Sequence, residues 1–276
     1  MKSIGFIDLY ISEWHANNYP VWIKEITSDY EVKYVWAEEE VSRVDGVTTD
    51  EWCEKYGTEK CGSIEELCEK SDAIIILAPS NPEKHLEYAK RVLPFKKPTY
   101  IDKPFAESVK AAKEIFDIAN RFGTPFFSSS ALRYAEELNS KAKCLSVATQ
   151  GGGSNLPEYI IHQAEMVVKK MGVGAVKIKG EKLCDSQFTF TVGYADGRMA
   201  GMHFAVGAAF TVTMTDEKGT EYKKIESAFF KFLIKDIISF FSINKPSFDI
   251  NETLEVNRLM TGAIKAANKP DKWIKL

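Results

Sequence analysis

The segment Ile4-Gly5-Phe6-Ile7-Asp8-Leu9-Tyr10-Ile11-Ser12-Glu13-Trp14-His15-Ala16 has the position of a first strand turning into a first helix. A nucleotide-binding βαβ unit needs glycines at that turn, because a Cβ there would hold a pyrophosphate away from the backbone N–H groups of the helix N-terminus. Asp8, Tyr10 and Glu13 occupy the places where G-x-G-x-x-G would stand. Two of the three are anionic, so a dinucleotide sits differently, binds weakly or does not bind at this turn. Ser12 is the expected N-cap of the helix through Trp14, a role compatible with contacting phosphate. Farther along, Glu158 and His162 lie one helical turn apart and share a face, which lets the carboxylate tune the imidazole's basicity. Glu38, in the run Glu38-Glu39-Glu40, falls where a Rossmann protein places its ribose-binding carboxylate; acid there favours NAD over NADP.

Other chemistries find no support. The four histidines are dispersed and lack H-x-x-x-H spacing, so no metal site is expected. The five cysteines are odd in number and contain no C-x-x-C, which argues against a disulfide framework or a thiolate zinc site and for reduced thiols. Ser128-Ser129-Ser130 lacks the G-x-S-x-G elbow of a serine hydrolase.

The elements that must position these residues change character near Ser130. Before it, strands at Ser3–Leu9, Val32–Ala37, Ala73–Ala78, Thr99–Asp102 and Pro125–Ser128 alternate with helical patterns such as Glu83–Leu93 and Glu107–Phe122. The run Ala73-Ile74-Ile75-Ile76-Leu77-Ala78 is continuously apolar, as a central parallel strand covered on both faces must be. Right-handed crossovers then make a doubly wound sheet, with ligands at the carboxyl ends of its strands. Lys103 ends one such strand.

Beyond Ser130, the turn Gly151-Gly152-Gly153-Ser154-Asn155 leads into a helix at Glu158–Met171. Strand-like runs follow at Ala175–Lys179, Gln187–Tyr194, Met199–Phe204 and Phe210–Thr215, then helices near Ser227–Phe241 and Ile250–Asn268. The reading is two domains: residues 1–130, a Rossmann-type dinucleotide-binding domain, and residues 131–276, an α+β substrate and oligomerisation domain with a mostly antiparallel open sheet.

Composition agrees. Of 276 residues, 45% are hydrophobic and 27% charged, the balance of a chain that buries a substantial core. The net charge of -3 leaves no electrostatic footprint for nucleic acid. Asp8 and Glu13 interrupt the N-terminal apolar stretch, and Lys231, Lys235 and Asp236 interrupt Ala228–Phe241, so neither a secretion signal nor a membrane span is expected and the location is cytoplasmic.

These motifs together resemble the Gfo/Idh/MocA family of glucose-fructose oxidoreductase and inositol dehydrogenase relatives, nearly end to end, as a shortened member with a degenerate glycine fingerprint. His15-Ala16 is similar to the end of that family's G-x-G-x-x-G-x-x-H-A, Asp102-Lys103-Pro104 to its E-K-P, and Ala78-Pro79 with His85-x-Glu87-x-Ala89 to its loop and following helix. Arg133-Tyr134 resembles R-[F/Y], Gly151-Gly152-Gly153 with Glu158 and His162 resembles G-G-G...D-x-x-x-H, and Lys245-Pro246 also fits.

The resemblance implies an NAD(P)-dependent oxidoreductase moving a hydride between nicotinamide and a sugar, polyol or related hydroxyl compound. It makes Lys103 and His162 the catalytic pair, with Glu158 beside them. A strand-end ammonium can orient a hydroxyl and stabilise an oxyanion, and an imidazole can accept the hydroxyl proton. Cofactor contacts are expected from Asp8, Tyr10, Ile11, Ser12, Glu38, Ala78, Pro79, Ser80, Asn81, His85, Asp102, Lys103 and Pro104. Substrate contacts are expected from Arg133, Lys103, His162 and His203. A homo-oligomer, dimer or tetramer, is implied. The alternative is a non-catalytic ligand-binding or oligomerising protein that has lost dinucleotide binding.

Overall fold

A computed structural model describes residues 1–140 and 144–276, which divide into two compact units. The first is Met1–Ser129 with Leu233–Phe248; the second is Ser130–Phe232 with Asp249–Leu276.

In the first unit the chain runs β1 (Lys2–Asp8), α1 (Trp14–Ile26), β2 (Tyr30–Ala37), α2 (Thr49–Tyr56), β3 (Glu59–Lys60), α3 (Ile64–Lys70), β4 (Ala73–Ile76), α4 (Glu83–Val92), β5 (Thr99–Ile101), α5 (Val109–Phe122) and β6 (Phe126–Phe127). All six strands are parallel, in the order β3-β2-β1-β4-β5-β6. This is the expected Rossmann-type doubly wound sheet. Strand β4 is buried along its whole length, as its uninterrupted apolar run requires. Gly5, the one glycine kept in β1, serves packing: a Cβ there would lie 2.4 Å from Leu67 Cδ2 of α3. Leu233–Phe248 lies within the second half of the sequence but groups with this unit by packing. Phe240 meets Phe127 edge-on at 4.9 Å, and Phe241 lies 6.0 Å from Tyr30.

The second unit carries β7 (Ser146–Gly151), α6 (Leu156–Met171), β8 (Ala175–Cys184), β9 (Gln187–Tyr194), β10 (Met199–Ala205), β11 (Thr211–Asp216), β12 (Gly219–Lys224), the start of α7 (Phe229–Ile243), α8 (Asn251–Ala267) and β13 (Ile274–Lys275). Its sheet order is β12-β11-β7-β10-β9-β8-β13, antiparallel at every pairing except β7 with β10. Helices α6 and α8 bury one face of this sheet, through Ile160, Val167, Leu259 and Ala263 against Val147, Val192 and Met202. No helix among the described residues is long and apolar enough to cross a membrane.

Candidate functional site

The carboxyl ends of β1, β4 and β5 collect buried ionisable groups. Asp8 closes β1; its Oδ1 accepts from the N–H of Leu9 at 2.7 Å and of Ala78 at 3.1 Å, while Oδ2 is buried with no hydrogen-bond partner. Burial, reinforced by the neighbouring Glu13 carboxylate, pushes the Asp8 carboxyl well above the usual range and favours its neutral form. The expected Ser12 cap is replaced by its neighbour. Glu13 is the N-cap of α1, and its carboxylate accepts from the N–H of His15 at 2.8 Å and of Ala16 at 2.5 Å. A longer carboxylate arm folds back over the first turn, while Ser12 Oγ turns away to donate to Asp45 Oδ2 at 2.8 Å. Burial raises the Glu13 carboxyl, opposed by His15.

His15 Nδ1 contacts Asp102 Oδ2, both groups are buried, and the imidazole stacks on Tyr19 with centroids 5.2 Å apart. Burial penalises the Asp102 carboxylate, yet His15 outweighs it and holds the group below its ordinary range. Asp102 Oδ1 also accepts from Lys103 N at 2.8 Å, and Lys103, half-buried, opens a cis peptide to Pro104. The other expected cofactor residues of this unit are engaged within it or exposed. Glu38 accepts from Lys84 and from Tyr88, each at 2.6 Å. His85 is fully buried, with Nε2 2.6 Å from Leu77 O and Nδ1 3.1 Å from Phe105 O, tying α4 to the ends of β4 and β5. Ile11, Ala78 and Pro79 are buried, Tyr10 is half-buried, Ser80 is exposed, and Asn81 donates to Glu83 at 2.9 Å.

In the second unit the three glycines build the surroundings of His162. A Cβ on Gly151 would stand 2.1 Å from Phe210 Cδ1 and one on Gly153 2.1 Å from Tyr159 Cδ1, so both are glycine to admit two aromatic rings. Those rings flank the His162 imidazole at 5.5 Å and 5.7 Å. Gly152 is stricter still, because its Cβ would lie 1.9 Å from the backbone oxygen of Ala205, which no side-chain rotation relieves. Gly152→Ala is expected to destabilise by about 1–3 kcal/mol, read as an earlier denaturant midpoint. A midpoint equal to wild type removes this account of the motif.

His162 Nδ1 pairs with Ser130 Oγ at 2.7 Å, while Glu158 takes part in a reciprocal cap with Asn155 at 3.0 and 3.1 Å. Arg133 is locked between Glu165 at 2.5 Å and Glu252 at 2.6 Å. His203 lies half-buried in β10, opposite Gln150 and Thr189. Sequence reading did not single out Glu165, or the partners of His15 and His162: Asp102 and Ser130 were noted for other reasons, and pairings across 87 and 32 residues leave no local signal. Among the described residues, no group of three His, Cys, Asp or Glu side chains could hold a metal ion.

Residues 22–130 match a family model described as an oxidoreductase family with an NAD-binding Rossmann fold. That model is the Gfo/Idh/MocA one, and the match lies within the first unit but for its last residue. Solved structures of similar fold include myo-inositol dehydrogenase from Lactobacillus casei in complex with NAD(H) and myo-inositol, at 12% identity and TM-score 0.83 over 100% of this chain and 97% of that one. A probable dehydrogenase from Thermotoga maritima matches at 14% identity and TM-score 0.79, over 99% and 98% of the two chains. UDP-N-acetylglucosamine 3-dehydrogenase GnnA from Acidithiobacillus ferrooxidans matches at 11% identity and TM-score 0.79, over 97% and 98%. No curated protein matches the sequence.

The first unit does not fit a dinucleotide in the usual way. A pyrophosphate needs the N–H groups at the first turn of α1, and Glu13 takes those of His15 and Ala16. A ribose needs an available carboxylate after β2, and Glu38 already carries Lys84 and Tyr88.

Proposed function

We propose that this chain is a ligand-binding member of its family that has lost dinucleotide binding at α1 and takes a small polar molecule. The Glu13 carboxylate on the first-turn N–H groups carries this reading. Purified protein titrated with NADH and with NADPH is expected to give no saturable change in nicotinamide fluorescence at micromolar concentrations. Glu13→Gly, which returns the first-turn amides to solvent, is expected to bind either nucleotide at least tenfold more tightly than wild type. Micromolar binding by the wild type overturns the reading.

A second reading is favoured by Lys103 beside the buried Asp102 at the end of β5, and by the His162 imidazole held between aromatic rings. In it the chain is an NAD(P)-dependent oxidoreductase acting on the CH–OH group of a sugar or polyol. Lys103 orients the hydroxyl, and His162 handles its proton. The same nicotinamide titration separates the two readings. Both take the protein as cytoplasmic, and as a homo-oligomer through the open face of the second sheet, where Ser146, Ala148 and Gln150 are exposed.

A further inference from the structure

We infer that Ser130 fixes His162 as its Nε2–H tautomer, so that this imidazole is a hydrogen-bond donor at Nε2 in place of a base. Ser130 has no exposed surface, and a buried hydroxyl proton needs an acceptor. A serine oxygen has one proton to give and two lone pairs to receive with. One lone pair of Ser130 Oγ is used by the N–H of Leu132 at 3.2 Å, as the cap of the 3₁₀ turn Ala131–Tyr134. The Ser130 backbone N–H is spent on Glu165 Oε2 at 3.0 Å, and its carbonyl receives Arg133 N at 3.1 Å.

Among the described residues, the acceptor left within reach of the hydroxyl proton is His162 Nδ1, at 2.7 Å. Nδ1 therefore carries a lone pair towards Ser130, and a neutral ring then holds its proton on Nε2. The reverse arrangement, with Nδ1–H donating to Ser130, strands the serine proton in a buried site at a cost of about 1–3 kcal/mol. Serine and ring are both held in place. Ser130 is tied through Glu165 to Arg133, and His162 stands between Tyr159 and Phe210.

The chemical consequence rests on the reading that His162 faces a ligand; the tautomer itself does not. An Nε2–H donates to an oxygen acceptor such as a carbonyl, a carboxylate or a hydroxyl oxygen. Taking a proton from a hydroxyl at Nε2 would first require the tautomer that Ser130 disfavours. Ser130 is thus a positioning residue, and Glu158 pairs with Asn155 at the start of the same helix.

The test is a long-range ¹H–¹⁵N correlation spectrum of the imidazole rings of ¹⁵N-labelled full-length protein, recorded above the imidazole titration range. His162→Gln identifies the His162 signals among those of the four histidines. Wild type is expected to show a protonated Nε2 and an unprotonated Nδ1 displaced by an accepted hydrogen bond. Ser130→Ala moves that Nδ1 signal to the position of a ring nitrogen without such a bond, and Ser130→Thr, which keeps the hydroxyl, restores it. A protonated Nδ1 in the wild type overturns the inference, as does an Nδ1 signal that Ser130→Ala leaves in place. The wild-type spectrum decides the tautomer even where the alanine variant fails to fold, and none of these outcomes depends on nucleotide binding.

Discussion

Arg133→Ala is expected to lower stability by about 3–5 kcal/mol, the cost of leaving a buried charge without its partner. The guanidinium, 6% exposed, spans Glu165 at 2.5 Å and Glu252 at 2.6 Å. Removing it strands Glu165, 2% exposed, with its negative charge and the single N–H of Ser130. Glu252, 22% exposed, rehydrates more readily, so the loss is dominated by Glu165. In a chain of this size that is a fall in melting temperature on the order of 10 °C. Arg133→Lys recovers only part of it, because one ammonium cannot present the fork that meets two carboxylates on different helices. Guanidinium unfolding of the three proteins measures this directly. A loss within about 0.5 kcal/mol, the range of an ordinary surface substitution, sinks the account. In this placement Arg133 is an internal strut, linked through Glu165 to the backbone of Ser130, whose hydroxyl meets His162.

The first sheet was legible because its signals are local. The run from Ala73 to Ala78 is continuously apolar, and Ser108 and Gly123 bracket α5 as N-cap and left-handed C-cap. Strand β7 was not legible. It alternates as Ser146-Val147-Ala148-Thr149-Gln150-Gly151, but one of its inward positions is Thr149, whose hydroxyl donates to Gln163 at 3.1 Å, so the apolar period that marks a strand is missing. Helices α2 and α3 were also passed over, being short and capped within charged sequence. Around the candidate site residues, pairing was not legible. Glu13 was seen as an obstacle by charge alone, whereas the obstacle is geometric: its side chain reaches the amides of its own helix. The repulsion assigned to Asp8 loses force where burial favours the neutral form of that carboxyl. No signal in a single sequence reports which titratable groups will be desolvated together.

That desolvation has a measurable sign. In the unfolded chain Asp8 loses its proton near pH 3.9; in the folded protein burial and Glu13 hold the proton to well above that. Between the two values the folded state binds more protons than the unfolded state, so stability falls as pH rises through the window. Each unit of difference is worth about 1.4 kcal/mol. Asp8→Asn removes the titration while its Oδ1 keeps the N–H groups of Leu9 and Ala78. The variant is therefore expected to match the wild type at acid pH, to become the more stable protein as pH rises, and to hold a constant advantage once the wild-type carboxyl has ionised. Glu13, raised by the same burial, contributes a slope of the same sign in both proteins. Denaturant titrations across a pH series compare the two slopes. Parallel stability curves from acid to alkaline pH would mean that Asp8 is solvated in the folded state, and that the carboxyl ends of β1 and β4 admit water and charge where this packing excludes both.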